Sequence, residues 1–183
     1  IRVALPLWLE DKENFAAQLE LLFKSPTHFD QISGGWAGWS PSLRFKNFII
    51  HDAKGKSDIF SAEEVEIQVN IFQSLMKRRV ILKRITLSDS EFSILREVDG
   101  SLRLEGGDSI NSGLLKQLLR HENFSISAKA IPFHDKASSK TAVISNFKLK
   151  AEMVDDVAMI NGEAELDNPI NGKIYFNIEP SGE

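Results

Sequence analysis

Apolar residues recur at every second position over most of this chain. The clearest case is AEEVEIQVNIF, where Val65, Ile67, Val69 and Ile71 alternate with Glu64, Glu66, Gln68 and Asn70. That is the period of a strand with one buried face. The same alternation groups Phe124, Ile126, Ala128 and Ala130 in NFSISAKAI, Phe147, Leu149 and Ala151 in AVISNFKLKAEM, and Ile174, Phe176 and Ile178 in GKIYFNIEP. In EFSILREVDGSLRLEG, Asp99-Gly100 predicts a two-residue hairpin turn of type I′. Phe92 and Ile94 then face inward on one arm, and Leu102 and Leu104 on the other. Each strand has one apolar face and one charged or hydroxylated face. Such faces close on each other in a sandwich or barrel, or line a trough in an open, curled sheet. The period fits both.

Three segments depart from this period. LEDKENFAAQLELLF, residues 9–23, gathers Leu9, Phe15, Leu19, Leu22 and Phe23 near one helical face. Its acids come early, where the helix dipole favours them, and Pro26 disfavours helix at the residue before it. Short helical breaks are expected around FQSLMKRR (72–79) and SINSGLLKQLLRHE (109–122). The expected fold is mainly β, largely antiparallel, with a leading helix. No Gly/Ser linker or composition shift divides residues 1–183, so one domain is expected.

Composition narrows the function classes. With 42% hydrophobic and 26% charged residues the chain is that of an ordinary folded protein. A net charge of −4 offers nucleic acid no general attraction. The absence of cysteine excludes disulfides, thiolate metal sites and cysteine nucleophiles. No run reaches the ~18 apolar residues of a membrane span. The abrupt opening IRVALPLW, without an initiator Met, reads as a chain cut from something longer, with a signal or anchor before it.

Candidate chemistry is sparse. His28, His51, His121 and His134 are scattered and form no HExxH spacing, so they read as surface or strand-end residues. No G-x-S-x-G elbow is present. The loops GGWAG and EGGDS match neither phosphate-binding glycine pattern. Glu63-Glu64 and Asp155-Asp156 read as a strand entry and a turn. Neither an enzyme nor a cofactor is expected. The cluster KRRVILKR carries Lys77, Arg78, Arg79, Lys83 and Arg84 in an otherwise acidic chain. It reads either as a solvated connection into the next strand or as a contact for anionic lipid head groups.

GGWAGWSPSLRFKNFIIHD, residues 34–52, sets Trp36 and Trp39 among glycines before an alternating strand. A tryptophan platform for a sugar or base is one reading; an anchor for the first hairpin is another.

Taken in order, these segments resemble the AsmA-like superfamily, and most nearly its YhdP branch. The resemblance rests on ALPLWLEDKENFAAQLELLF, on WAGWSPSLRFKNF from Trp36 to Phe48, and on the strand run from DIFSAEEVEIQVNIF to the DGSLRL hairpin. LLRHENFSISAKAIPFHD and AVISNFKLKAEM follow in the same order, so it covers most of the chain. Trp39 and the SGG before Trp36 fall outside the pattern. The resemblance implies a curled antiparallel sheet forming an open hydrophobic trough, the membrane-proximal end of a longer lipid-transfer protein. It implies phospholipid carriage between the inner and outer membranes of a Gram-negative bacterium, in the periplasm. A preceding transmembrane helix would anchor the chain to the inner membrane, and other envelope proteins are further partners. The trough would be lined by Val65, Ile67, Val69, Ile71, Phe92, Ile94, Leu102, Leu104, Phe124, Ile126, Ala128, Phe147, Leu149, Ile174, Phe176 and Ile178. Under this reading Trp36 anchors the first strand-to-strand turn, which Ser40-Pro41 would fix by the preset φ of proline. The rival implication is a periplasmic scaffold that assists outer-membrane protein assembly by pairing client strands with an exposed sheet edge.

Overall fold

The computed structural model describes residue 20 and residues 25–38, 40–52, 54–77, 81–106, 123–154, 157–167 and 172–178. The expected break at 109–122 lies outside the described residues. So does the expected helix over 9–23 except for Glu20, which is helical and exposed.

Eleven strands form a single sheet among the described residues. β1 (Thr27–His28) and β2 (Gln31–Ala37) share the neighbour β3 (Ser40–His51), which pairs with β4 (Asp58–Val69). A short helix, α1 (Ile71–Lys77), leads to β5 (Leu82–Glu91), and a small hairpin follows, β6 (Ile94–Arg96) and β7 (Leu102–Leu104). The sheet continues through β8 (Asn123–Asp135), β9 (Lys140–Val154), β10 (Val157–Asp167) and β11 (Gly172–Ile178). Its path runs β1-β3-β4-β5-β8-β9-β10-β11 and does not close. The pairing is antiparallel except at the centre, where β5 and β6 both run parallel to β8.

Local chemistry accounts for the turns, and some of them differ from expectation. β4 stops at Val69 because Asn70 caps α1: its side-chain Oδ1 accepts from the Gln73 N–H at 3.1 Å. Ile71 therefore opens a helix rather than continuing the strand. The first hairpin turns at Gly38, whose φ of +65° suits glycine, so Ser40 and Pro41 lie in β3 and do not make the turn. Trp36 sits at the end of β2 opposite Pro41, beside the turn as expected. The DG hairpin is not type I′. The Gly100 N–H donates to the Glu97 carbonyl at 3.0 Å, and Gly100 alone has positive φ, which is a three-residue loop. Among the described residues β7 pairs only with β6 and Leu102 is exposed, while Leu95 rather than Ile94 is the buried residue of β6.

One feature shapes the whole sheet. In each of five strands the inward-facing residues step by three instead of two at one place: Phe45 to Phe48, Ala62 to Val65, Leu87 to Ser90, Ala128 to Ile131, and Ile144 to Phe147. These places are cross-strand neighbours within β3–β4–β5 and within β8–β9, and the steps of β5 and β8 lie two residues apart in their common register, so together they form a crease across the sheet. Every second strand negotiates the crease with a left-handed residue: Asn47 (φ 51°), Asp89 (φ 49°) and Asn146 (φ 51°). Asn and Asp are the residues that tolerate this conformation best after glycine. An extra residue of this kind bends a strand and increases its twist. Here it also keeps the apolar residues on one side along both halves. Ala130, expected inward, consequently lies exposed in the step, and Ile131 takes its place.

A single cluster of buried side chains spans β3, β4, β5, β8 and β9, with Phe29 before β2 packed edge-on against Phe45 at 5.1 Å.

Candidate functional site

The registers of successive strand pairs align into rows that cross the sheet. One row is Phe45, Val65, Leu87, Ile126, Leu149, Gly162 and Phe176. The next on the same face is Leu43, Ile67, Ile85, Phe124, Ala151, Ile160 and Ile178. Neither row contains a polar residue. Between them, on the opposite face, runs Arg44, Glu66, Thr86, Ser125, Lys150, Asn161 and Asn177, polar at every position. Adjacent strands lie about 4.8 Å apart, so six steps make an apolar face about 29 Å long.

Burial along this face is graded. From β3 to β8 both rows are buried among the core residues, except for the half-buried Leu43 at the β3 end. Leu149 and Ile160, toward β10, are half-buried, and Ile174 on β11 is 43% exposed. Of the expected lining residues, Val65, Ile67, Phe124, Ile126 and Ala128 are thus core. Phe92, Leu104, Phe147 and Leu149 pack at its margin. Val69 and Ile94 are half-buried. Phe176 and Ile178 hold row positions by register, but their side chains lie outside the described set. Leu43, Phe45, Ile85, Leu87 and Ile160 belong to the face and were not among the expected residues. RFKNF and KRITL do alternate, yet the crease and the flanking cations conceal it.

Two cavities lie nearby. One of about 390 Å³ is lined mainly from the polar face, by Thr86, Ser125, Lys150, Asn161, Glu163 and Tyr175, and also touches Leu87, Ile126, Leu149 and Gly162. A larger one, about 950 Å³, lies where β5 and β8 part. β5 and β6 follow β8 in the same register but are not bridged to it between Leu87/Ile126 and Ile94/Phe133. Pro132, which lacks an N–H, is in this gap. Asp89 spans it, its N–H donating to Ser127 Oγ at 3.3 Å and its carboxylate facing Lys129 Nζ at 3.5 Å. Ser90, buried beside the cavity, has a hydroxyl with no hydrogen-bond partner among the described residues.

The outer face of β9–β11 is a charge ladder. Asn146 donates to Glu165 at 2.6 Å, Lys173 meets Glu165 at 3.0 Å, and Lys148 meets Glu163 at 2.7 Å. The Asn146 bond, followed by Lys173, holds the Glu165 carboxyl below its ordinary value. Glu163 raises Lys148, and Glu165 raises Lys173. Three histidines each face one carboxylate: His28 with Asp30, His51 with Asp58 and His134 with Glu105. His121 lies outside the described residues. Among the described residues no three His, Asp or Glu side chains converge as metal ligands. No helix among them is long and apolar enough to cross a membrane. Lys83 and Arg84 are exposed at the start of β5. Lys77 ends α1, and Arg78 and Arg79 lie outside the described residues.

A family model described as YhdP protein matches residues 1–181. The chain belongs to the YhdP family. No curated protein and no solved structure gives a match. Membership suggests a lipid-transport-related protein, and YhdP proteins are envelope-associated. In this YhdP chain, then, the apolar rows are the feature to be explained.

Proposed function

We propose that this chain forms part of a conduit for phospholipid between the inner and outer membranes, with acyl chains lying along the apolar face and head groups left in water. The observation that carries this is the pair of rows, seven strands long and without a polar residue. Exposing acyl chains to water costs about 0.8 kcal/mol per methylene, or about 20 kcal/mol for a two-chain lipid. A carrier offsets this with continuous apolar contact, not with polar recognition groups. The length suits the task. Beyond the closed part, the three steps from β8 to β11 span about 14 Å, and a bilayer core about 30 Å thick allots about 15 Å to the chains of one leaflet. Dispersion contacts with aliphatic side chains are individually weak, which lets a lipid slide.

The graded burial supports lipid entry at the β9–β11 end, where Leu149, Ile160 and Ile174 are at least partly accessible. The β3–β8 part is a closed core and serves as the floor. The chain works in the periplasm, held to the inner membrane by a segment preceding it, and does so without enzymatic chemistry.

The test is to purify the chain without detergent and extract it. Co-purified phospholipid detected by mass spectrometry supports the reading, and a lipid-free, monodisperse protein that takes up no lipid from vesicles refutes it. A scaffold role draws on one observation, that β11 pairs only with β10 among the described residues. Client-strand capture at β11 with no lipid in the extract would favour that role.

A further inference from the structure

α1 presents a surface that the apolar face of the sheet does not use. One side of the helix is tied down. The Asn70 N–H donates to the Ile81 carbonyl at 2.8 Å, the Ser74 hydroxyl donates to the Asn70 carbonyl at 2.6 Å, and the Ile81 N–H donates to Ser74 Oγ at 2.9 Å. Two residues farther along, which is about half a helical turn, Phe72 and Met76 lie on the other side. They are four positions apart, hence neighbours, and are 74% and 72% exposed. Two large apolar side chains held in water on an anchored turn mark a contact site.

The sequence that flanks them carries charge of one sign. Between Glu66 and Asp89 the sequence holds Lys77, Arg78, Arg79, Lys83 and Arg84 and no carboxylate, in a chain of net charge −4. Lys83 and Arg84 are exposed at the start of β5, and Lys83 Nζ reaches Ser40 Oγ at 3.1 Å. That bond ties Lys83 to the start of β3. A short helix with exposed apolar side chains, followed in the chain by exposed cations, has the make-up of a segment that lies in a membrane interface.

We propose that α1 is a membrane-surface contact, with Phe72 and Met76 entering the interface of an anionic bilayer while Lys83 and Arg84 meet its head groups. A protein partner would call for a broader apolar patch than two side chains, whereas a fluid interface accepts them singly. The proposal shares with the function above only the premise that the chain works at membranes. It does not depend on lipid in the trough.

Flotation with vesicles tests it. Wild-type chain is compared with Phe72→Ser/Met76→Ser and with Lys83→Glu/Arg84→Glu, on phosphatidylcholine vesicles with and without phosphatidylglycerol. Wild type should bind the anionic vesicles and leave the neutral ones. Each double variant should partition about tenfold more weakly. The cation variant should lose its deficit at high salt, and the apolar variant should keep its own. Far-UV dichroism and the melting curve check folding, and because two variants on different elements are used, one poorly folded protein does not decide the result. Both variants should still carry wild-type lipid in the extract, which separates this site from the trough. Wild-type binding by both variants overturns the proposal. So does equal binding to neutral vesicles, or no vesicle binding at all.

Discussion

Phe45 and Phe48 stand three residues apart in β3, and both point into the core, each 1% exposed. An uninterrupted strand would put them on opposite faces. Asn47, left-handed between them, makes the shared face possible, and its side chain donates to Asp30 at 2.7 Å. Asn47→Val should destabilise the fold by about 1–2 kcal/mol, the cost of a left-handed backbone for a residue that resists it. Asn47→Gly should lose less, since glycine keeps the conformation and only the hydrogen bond goes. Urea melts of the two variants measure the order, and equal losses would contradict the role of the crease.

Ile126 and Ile174 face the same way from opposite parts of the sheet, at 5% and 43% exposure. Ile126→Asp should unfold the chain or cost more than about 3 kcal/mol, because it buries a carboxylate without a partner. Ile174→Asp should melt within about 0.5 kcal/mol of wild type and carry less lipid. Thermal melts paired with lipid extraction separate the floor from the accessible end.

Ser90 offers a test with the opposite sign. Its buried hydroxyl lacks a partner among the described residues, so Ser90→Ala should hold or raise stability, by up to about 1 kcal/mol. A loss above ~1 kcal/mol would mean that the hydroxyl has an essential partner.

The period-two strands were legible in the sequence, and so was the choice of Val65, Ile67, Phe124, Ile126, Phe147 and Leu149 as one face. The crease was harder to see. FKNF, AEEV, LSDS, AKAI and ISNF each look like an isolated fault in the alternation, and only the register shows them to be neighbours. Missing the crease misplaced Ala130 and hid Phe45, Ile85 and Leu87. Ile71 was misread because nothing in alternation alone distinguishes a strand's end from a helix cap, although Asn70 was the available signal. Gly38 was outweighed by the nearby proline. Depth of burial is not encoded in a two-residue period at all, so floor and opening could be told apart only in three dimensions.

The ladder on the outer face predicts a pH dependence. Glu165 is lowered from 4.5, so its contribution is present above that value and is lost as pH falls through the folded value. Lys148 and Lys173 are raised from 10.5, so theirs is present below that value and is lost as pH rises through the folded one. Stability should be flat near neutrality and fall at both extremes. Glu165→Gln should make both limbs shallower, the alkaline one because Lys173 loses its partner. Denaturation across pH reads this directly, and unchanged limbs in the variant would remove the ladder from the explanation.

The most direct measurement uses neighbouring residues on β11. Ile174 belongs to the apolar face, and Tyr175, 71% exposed, pairs with Glu163 on the polar one. A photo-crosslinking amino acid at position 174 in cells, and the same probe at 175, compare two sites one residue apart that face opposite ways. Lipid adducts at 174, and at 149 farther in, with none at 175 or 148, are the expected result. Adducts of equal yield on both faces, or none at 174 and 149, would contradict a lipid path along the apolar rows.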